Sequence, residues 1–147
     1  MILLNPGPVT LSDRVRDALS GPDLCHREEE FSLLQQSIRD KLLRVYNLSN
    51  ENWAPVLLTG SGTAAVEAML ISCIPEEGKA LVIENGVYGE RISEMLRSYA
   101  IHYDRHTNEW GANIDINSLR VMLSKKKYSH VVLVHHETTT GRLNELS

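Results

Sequence analysis

The chain has 147 residues, enough for one ordinary domain and too few for two full ones. Its 42% hydrophobic and 23% charged residues, with 9 Gly, 5 Pro and 2 Cys, exclude a collagen, a low-complexity disordered chain and a disulfide scaffold. Fifteen Lys and Arg against nineteen Asp and Glu leave a net charge of −4, which removes the electrostatic case for a nucleic-acid surface and points to small-molecule or protein partners.

In chain order, the turn Pro6-Gly7-Pro8 is followed by capping residues and by Val15, Ala18 and Leu19 at helical spacing, which predicts a short helix over residues 10–20, stopped by Gly21-Pro22. Phe31, Leu34, Ile38, Leu42, Val45 and Tyr46 then recur at three- and four-residue steps, behind Glu28-Glu29-Glu30 at the positive end of the helix dipole. Residues 47–52 read as a linker. Val56-Leu57-Leu58 predicts a buried strand that enters a glycine-rich turn, and Ala64, Ala65, Ala68, Met69 and Leu70 a small-residue helix ending before Pro75. Beyond it the pattern predicts a strand over residues 80–84, a helix over 87–100, a short strand over 101–103, a helix over 114–127 and a last strand over 130–135. Strands that alternate with helices of this length imply an α/β fold, a three-layer αβα arrangement around a mostly parallel sheet. The expected division is an N-terminal arm with helices, residues 1–52, and the first part of a larger α/β domain, residues 53–147. Arg142-Leu-Asn-Glu-Leu146 offers no cap or breaker, so the chain reads as cut in mid-domain with an incomplete sheet.

Cys25 and Cys73 fall in different predicted elements, with no CxxC and no His at a zinc spacing, and read as free thiols of a reducing compartment. Met1-Ile-Leu-Leu-Asn-Pro has no basic segment and only four apolar residues in a row, unlike a signal peptide. No apolar run approaches the roughly 18 residues of a membrane span. The expected location is the cytoplasm, with no membrane partner.

Ligands of parallel sheets sit beyond the carboxyl ends of strands, which directs attention to three loops. In Gly60-Ser61-Gly62-Thr63, backbone N–H groups and two hydroxyls meet at a helix start, where an anion such as a phosphate is favoured; the alternative is a glycine turn that only reverses the chain. Gly60-x-Gly62-x-x-Ala65 with Glu84 ending the next strand also meets the loose fingerprint of a nicotinamide-dinucleotide (Rossmann) site. Against that stand the more than fifty residues before the motif and the hydroxyls at Ser61 and Thr63, which suit a terminal phosphate better. Asn85-Gly-Val-Tyr88-Gly89 sets one aromatic ring at a strand mouth, either to stack on a flat ligand or to pack half-buried. In Glu137-Thr138-Thr139-Thr140-Gly141, three hydroxyls are available to a phenolate or carboxylate oxygen, or are turn material. His135 and His136 point to opposite faces of a strand and cannot chelate one ion together, so no metal is expected. Arg27, beside His26, can pair with an anionic substrate or belong to a solvated pair before an acidic helix start.

Asn5-Pro-Gly-Pro-Val9, His26-Arg27 before Glu30-Phe31, Gly60-Ser-Gly-Thr-Ala-Ala-Val-Glu67, Asn85-Gly-Val-Tyr-Gly89 and Glu137-Thr-Thr-Thr-Gly141 resemble, in order and approximate spacing, the N-terminal part of class V pyridoxal-phosphate-dependent aminotransferases. Within that class, Ser61-Gly-Thr-Ala-Ala-Val-Glu67 and Glu137-Thr-Thr-Thr-Gly141 are most similar to the branch that transfers the amino group of 2-aminoethylphosphonate to pyruvate. The His-Arg pair is also similar to alanine– or serine–glyoxylate aminotransferases.

The resemblance implies the N-terminal portion of the large domain of such an enzyme, with pyridoxal 5′-phosphate as cofactor, a small-molecule amino donor and a 2-oxo acid as partners, and a homodimer. It implies that Ser61, Gly62 and Thr63 bind the cofactor phosphate, that Tyr88 stacks on its ring and that Thr138 lies near its phenolic oxygen. Pro6, Gly7, His26 and Arg27 are the candidates on the substrate side. The lysine that holds the cofactor aldehyde and the aspartate that keeps the ring nitrogen protonated lie past residue 147 in the family, so no catalytic residue is assigned within this chain. Lys125-Lys126-Lys127 reads as a solvated run and Lys79 as following a glycine turn, neither suited to replace that lysine. The family's strand order also leaves residues 56–59 and 130–135 each lacking one native neighbour.

Overall fold

Every residue of Ala80–Glu84 is buried, and this strand, β1, is the centre around which the rest of its unit is arranged. In the computed structural model, which describes residues 2–146, β1 pairs in parallel with β2, Tyr103–Thr107, on one side and with β3, His130–Leu133, on the other. The order β2-β1-β3 is that of a parallel α/β sheet, as the alternation of elements predicts. A second, antiparallel pair joins β4, His136–Glu137, to β5, Arg142–Leu143.

The chain divides into two compact units, Met1–Thr59 and Gly60–Ser147. The break falls after the apolar run 56–58, which joins neither sheet. The first unit carries α1, Asp13–Leu19, and α2, Glu29–Val45. The 3.6-residue periodicity located α2 correctly, but Leu43 is its only buried residue, and Leu34, Ile38, Val45 and Tyr46 of the predicted apolar stripe are exposed. A stripe of that kind is covered only if another element lies against it, and no strand is formed within residues 2–59. Asn47, in the left-handed region at φ 53°, ends α2, and the Leu48 N–H reaches back to the Leu43 carbonyl at 2.9 Å.

The second unit carries α3, Gly62–Cys73, α4, Val87–Ser98, and α5, Ile116–Lys125. Leu70 and Ile74 after it, Ala80 and Val82 of β1, and Ile92 and Leu96 of α4 form one buried cluster. Full burial of each large aliphatic side chain there contributes about 1.5–3 kcal/mol. Leu81 and Ile83 point to the opposite face of β1 and are buried too. α4 packs against β1, β2 and α3 on one face, and the order β2-β1-β3 is one whose two connections, if right-handed as such connections generally are, cover opposite faces of the sheet. Asp115 starts α5 by accepting the N–H groups of Asn117 and Ser118, both at 3.1 Å. No helix among the described residues is long and apolar enough to cross a membrane.

Three strand expectations need correction. Residues 56–59 form no strand: Val56 and Leu58 are exposed, and no ladder satisfies their backbone, so an apolar run without a partner stays irregular. The strand expected at 101–103 instead runs over Tyr103–Thr107, paired from Ala80↔Tyr103 to Glu84↔Thr107. Its Asp104, Arg105 and Thr107 are polar because it is the outer strand of the described sheet, where apolar continuity fails as a signal. The last strand, expected over residues 130–135, ends at Leu133.

The amino ends of the strands are tied by charge. Asp104 accepts from Lys79 at 2.7 Å, Lys126 at 2.9 Å and the Tyr128 hydroxyl at 2.8 Å, so Lys79 and a lysine of the run read as solvated share one carboxylate. The Lys79 ammonium, then that of Lys126, holds the Asp104 carboxyl well below the usual carboxylate range. Burial first, then the bond to Asp104, pushes the Tyr128 phenol up to about 12. Because the folded-state value of Asp104 lies below its unfolded value of 3.8, its contribution is complete above that pH and is lost as pH falls through the folded value. Thermal melts between about pH 2 and 7 should show wild-type stability falling below about pH 4. Asp104→Asn should be less stable at neutral pH with a flatter acid limb, and parallel limbs would show that this carboxylate is not coupled to folding.

Candidate functional site

The carboxyl end of β1 runs directly into Asn85 and Gly86, and α4 starts at Val87. The first N–H groups of any helix have no acceptor within it. At α4 no capping side chain comes from Gly86 itself. Glu137 supplies the acceptors: its Oε1 takes the Gly89 N–H at 2.8 Å and its Oε2 the Tyr88 N–H at 3.2 Å. Glu137 is fully buried, and a Cβ on Gly86 would lie 2.7 Å from its carboxyl carbon, so only glycine lets the carboxylate this close.

A polar network continues from that contact. Asn85 and Asn144, both buried, exchange side-chain bonds at 2.7 and 3.1 Å. Asn85 also donates to the Ala112 carbonyl at 3.0 Å, and Asn144 to the Val134 carbonyl at 2.7 Å. Asn144 thus fastens the returning β5 side of the hairpin to the end of β3. Between β4 and β5 the turn closes when Thr140 donates to the Glu137 carbonyl through both its N–H, 3.1 Å, and its hydroxyl, 3.2 Å. Gly141 follows at φ +73°, a conformation other residues rarely adopt.

Glu84 lies just before this network and is also buried, bonded to the Ser93 hydroxyl and to the Thr107 hydroxyl at 3.0 Å, with Arg105 at 3.8 Å. A carboxylate so occupied cannot present itself to a ribose, which removes the acidic residue that a dinucleotide site requires.

One open pocket of about 490 Å³ lies between α3, α4 and the hairpin. Gly62 and Thr63 border it from the start of α3, Tyr88 from the start of α4 and Thr138 from the hairpin, so four of the five predicted cofactor residues share it. The fifth, Ser61, caps α3, its hydroxyl accepting the Ala64 N–H at 3.4 Å. With Ala64 and Ala65 bonded to Ser61, the N–H groups of Gly62 and Thr63 remain without an intrahelical acceptor. A Cβ on Gly62 would meet nothing within 4 Å, so the space in front of it is pocket and not packed protein. Val66, Ile92, Met95 and Val134 form the apolar wall. Of the three threonine hydroxyls, that of Thr140 is spent on the turn and Thr139 is exposed, while Thr138 faces the pocket.

Sequence reasoning missed Arg91 and His136, which also line the pocket. The Arg91 guanidinium sits 5.4 Å from the centroid of the Tyr88 ring, a pairing that three-residue spacing on a helix makes available. Pro6, Gly7, His26 and Arg27 belong to the first unit, where all four are exposed.

No protein-family model matches the chain. Over 148 residues it is 36% identical to a 2-aminoethylphosphonate–pyruvate transaminase of Bacillus thuringiensis (strain Al Hakam), an alignment covering 99% of this chain and 40% of that protein. The crystal structure of an alanine–glyoxylate aminotransferase from Nostoc sp. superposes with a TM-score of 0.86 at 28% identity, over 99% of this chain and 38% of the other. Over nearly its whole length this chain is similar to aminotransferases. A pyridoxamine–pyruvate aminotransferase from Mesorhizobium loti gives a TM-score of 0.86 at 27% identity, over 98% of this chain and 36% of the other. The chain therefore spans about 40% of the length of the curated relatives it matches.

The polar network around Asn85 and Asn144 makes a defined stability claim. Asn144→Ala leaves the Val134 carbonyl and the Asn85 amide without their partner, which costs about 1–3 kcal/mol. Urea unfolding of Asn85→Ala, Asn144→Ala and the double variant should show the double loss smaller than the sum of the single losses. Strict additivity would mean that the two side chains act independently.

Proposed function

We propose that this chain forms one wall of the pyridoxal 5′-phosphate site of an aminotransferase that moves the amino group of 2-aminoethylphosphonate to pyruvate, giving phosphonoacetaldehyde and L-alanine. The observation that carries this reading is the meeting of a helix start, an aromatic ring and a threonine hydroxyl around one pocket whose volume suits a cofactor of that size. Bound there, pyridoxal phosphate supplies an electron sink for the bond changes at the donor carbon.

The chain's residues bind and orient. The N–H groups of Gly62 and Thr63 and the Thr63 hydroxyl are free to take phosphate oxygens, and the α3 dipole favours the negative charge. Ser61 holds the first turn in the shape that points those groups outward. Tyr88 offers its ring to the pyridine face and Thr138 its hydroxyl to the ring oxygen. Arg91 holds the Tyr88 ring from one side. The apolar wall of Val66, Ile92, Met95 and Val134 offers the ring a surface to lie against. No lysine among the described residues lines the pocket, and Lys79 and Lys126 are committed to Asp104 at the other end of the strands. On the resemblance to the family the aldehyde-binding lysine is assigned outside this chain, and the chain by itself is assigned no transaminase activity.

Pro6, Gly7, His26 and Arg27 are assigned to the substrate side, and the working protein to a cytoplasmic homodimer. The exposed free thiols of Cys25 and Cys73 suit a reducing compartment. The likeness to the Nostoc alanine–glyoxylate aminotransferase supports a second reading, a glyoxylate-dependent amino transfer on the same cofactor site. Turnover of 2-aminoethylphosphonate by the protein carrying this chain separates the two.

Titration of the chain with pyridoxal phosphate and with unphosphorylated pyridoxal tests the site. The phosphorylated ligand should bind more tightly. Thr63→Val should weaken it by about 0.5–1.5 kcal/mol, and more where the acceptor is charged, with pyridoxal unaffected. Saturable NADH binding without a response to pyridoxal phosphate would overturn the reading.

A further inference from the structure

The two sides of the pocket that would grip a ring come from places far apart in the sequence: Tyr88 from the first turn of α4 and Thr138 from the β4–β5 hairpin. The residue beside Thr138 is Glu137, and its carboxylate ends on the N–H of Tyr88 itself and on that of Gly89. We infer that Glu137 is a positioning residue that sets the separation between the Tyr88 ring and the Thr138 hydroxyl, and so determines which flat ligand the pocket accepts. The inference rests on the pyridoxal phosphate reading for the identity of that ligand, but not for the existence of the clamp.

Four features of the geometry support it. Both carboxylate oxygens are used, one per N–H, so the side chain is fixed in two directions and cannot rotate without breaking a bond. Its burial is complete, so no water replaces either bond at small cost. Gly86 leaves exactly the space the carboxylate fills, since a Cβ there would sit 2.7 Å from Cδ and Oε2. At its backbone end, the Glu137 carbonyl anchors the hairpin by accepting both donors of Thr140. One residue thereby fastens the hairpin to the helix start, with a pocket-lining side chain next to each attachment. Glu137 itself does not line the pocket, so it acts through Tyr88 and Thr138 and not by touching a ligand.

Glu137→Gln separates size from chemistry. Glutamine fills the same volume, but one of its two terminal atoms is an N–H donor that would face a backbone N–H. One bond of the pair is then lost and α4 starts in a looser position. Hydrogen exchange at the Tyr88 and Gly89 amides reads the clamp without any ligand. These amides should be protected in the wild type and exchange at least about tenfold faster in Glu137→Gln, while amides of β1 keep their protection. With pyridoxal phosphate, the variant should bind about tenfold more weakly and lose the induced circular dichroism of the bound chromophore. Thr63→Val, which touches only the phosphate end, should weaken binding and keep that signal. Gly86→Ala, which displaces the carboxylate by contact, should reproduce the exchange and dichroism changes and serves if Glu137→Gln does not fold. Wild-type exchange at both amides in a folded variant would overturn the clamp. Faster exchange with unchanged affinity and dichroism would overturn its role in positioning. If the wild type binds no pyridoxal phosphate, the ligand reading fails, and the exchange data still decide the clamp.

Discussion

A helix that begins at the end of a buried strand exposes backbone N–H groups that its own carbonyls cannot reach, and in this chain the partner is a carboxylate from 48 residues further on. The rest of the second unit follows from making that contact possible. Residue 86 has no side chain because the carboxyl occupies the place of its Cβ. The hairpin that carries Glu137 is short and closed by Thr140 and Gly141, and Asn144 bonds it back to the end of β3 and to Asn85. The pocket is what remains between these fixed pieces and the start of α3.

This arrangement places polar and charged work at the two ends of one small sheet. At the amino ends, Asp104 gathers Lys79, Lys126 and Tyr128 into an outward-facing tie that depends on pH. At the carboxyl ends, buried amides and carboxylates satisfy one another and leave selected donors, those of Gly62 and Thr63 and the hydroxyl of Thr138, facing open space. Donors left free at a helix start beside an aromatic ring are suited to a phosphorylated, planar ligand. The structural likeness to aminotransferases agrees with that chemistry without assigning the substrate.

How legible this was depended on where each partner lay. β1 was readable because a strand buried on both faces is a continuous apolar run, and α2 because helical periodicity does not require a neighbour. Residues 56–58 misled for the same reason in reverse: they have the composition of an inner strand and no partner within the sheet. β2 was misplaced because an outer strand such as Tyr-Asp-Arg-His-Thr carries its side chains half in solvent. Gly62, Thr63, Tyr88 and Thr138 could be singled out because glycines and hydroxyls at the carboxyl ends of parallel strands have a known use. Glu137, Asn144 and Arg91 could not be assigned their contacts, since they pair with backbone N–H groups, another amide and a ring face, and only the folded chain brings these together.

The central claim is that the pocket bordered by Gly62, Thr63, Tyr88 and Thr138 takes a phosphorylated pyridine. The most direct measurement is the amide NMR spectrum of the isotopically labelled chain during titration with pyridoxal phosphate. The account expects saturable shifts confined to the starts of α3 and α4 and to residues 136–141, largest at Gly62, Thr63 and Tyr88. Shifts centred elsewhere, for instance around Leu43 and Leu48 of the first unit, or no saturable change at millimolar ligand, would contradict it.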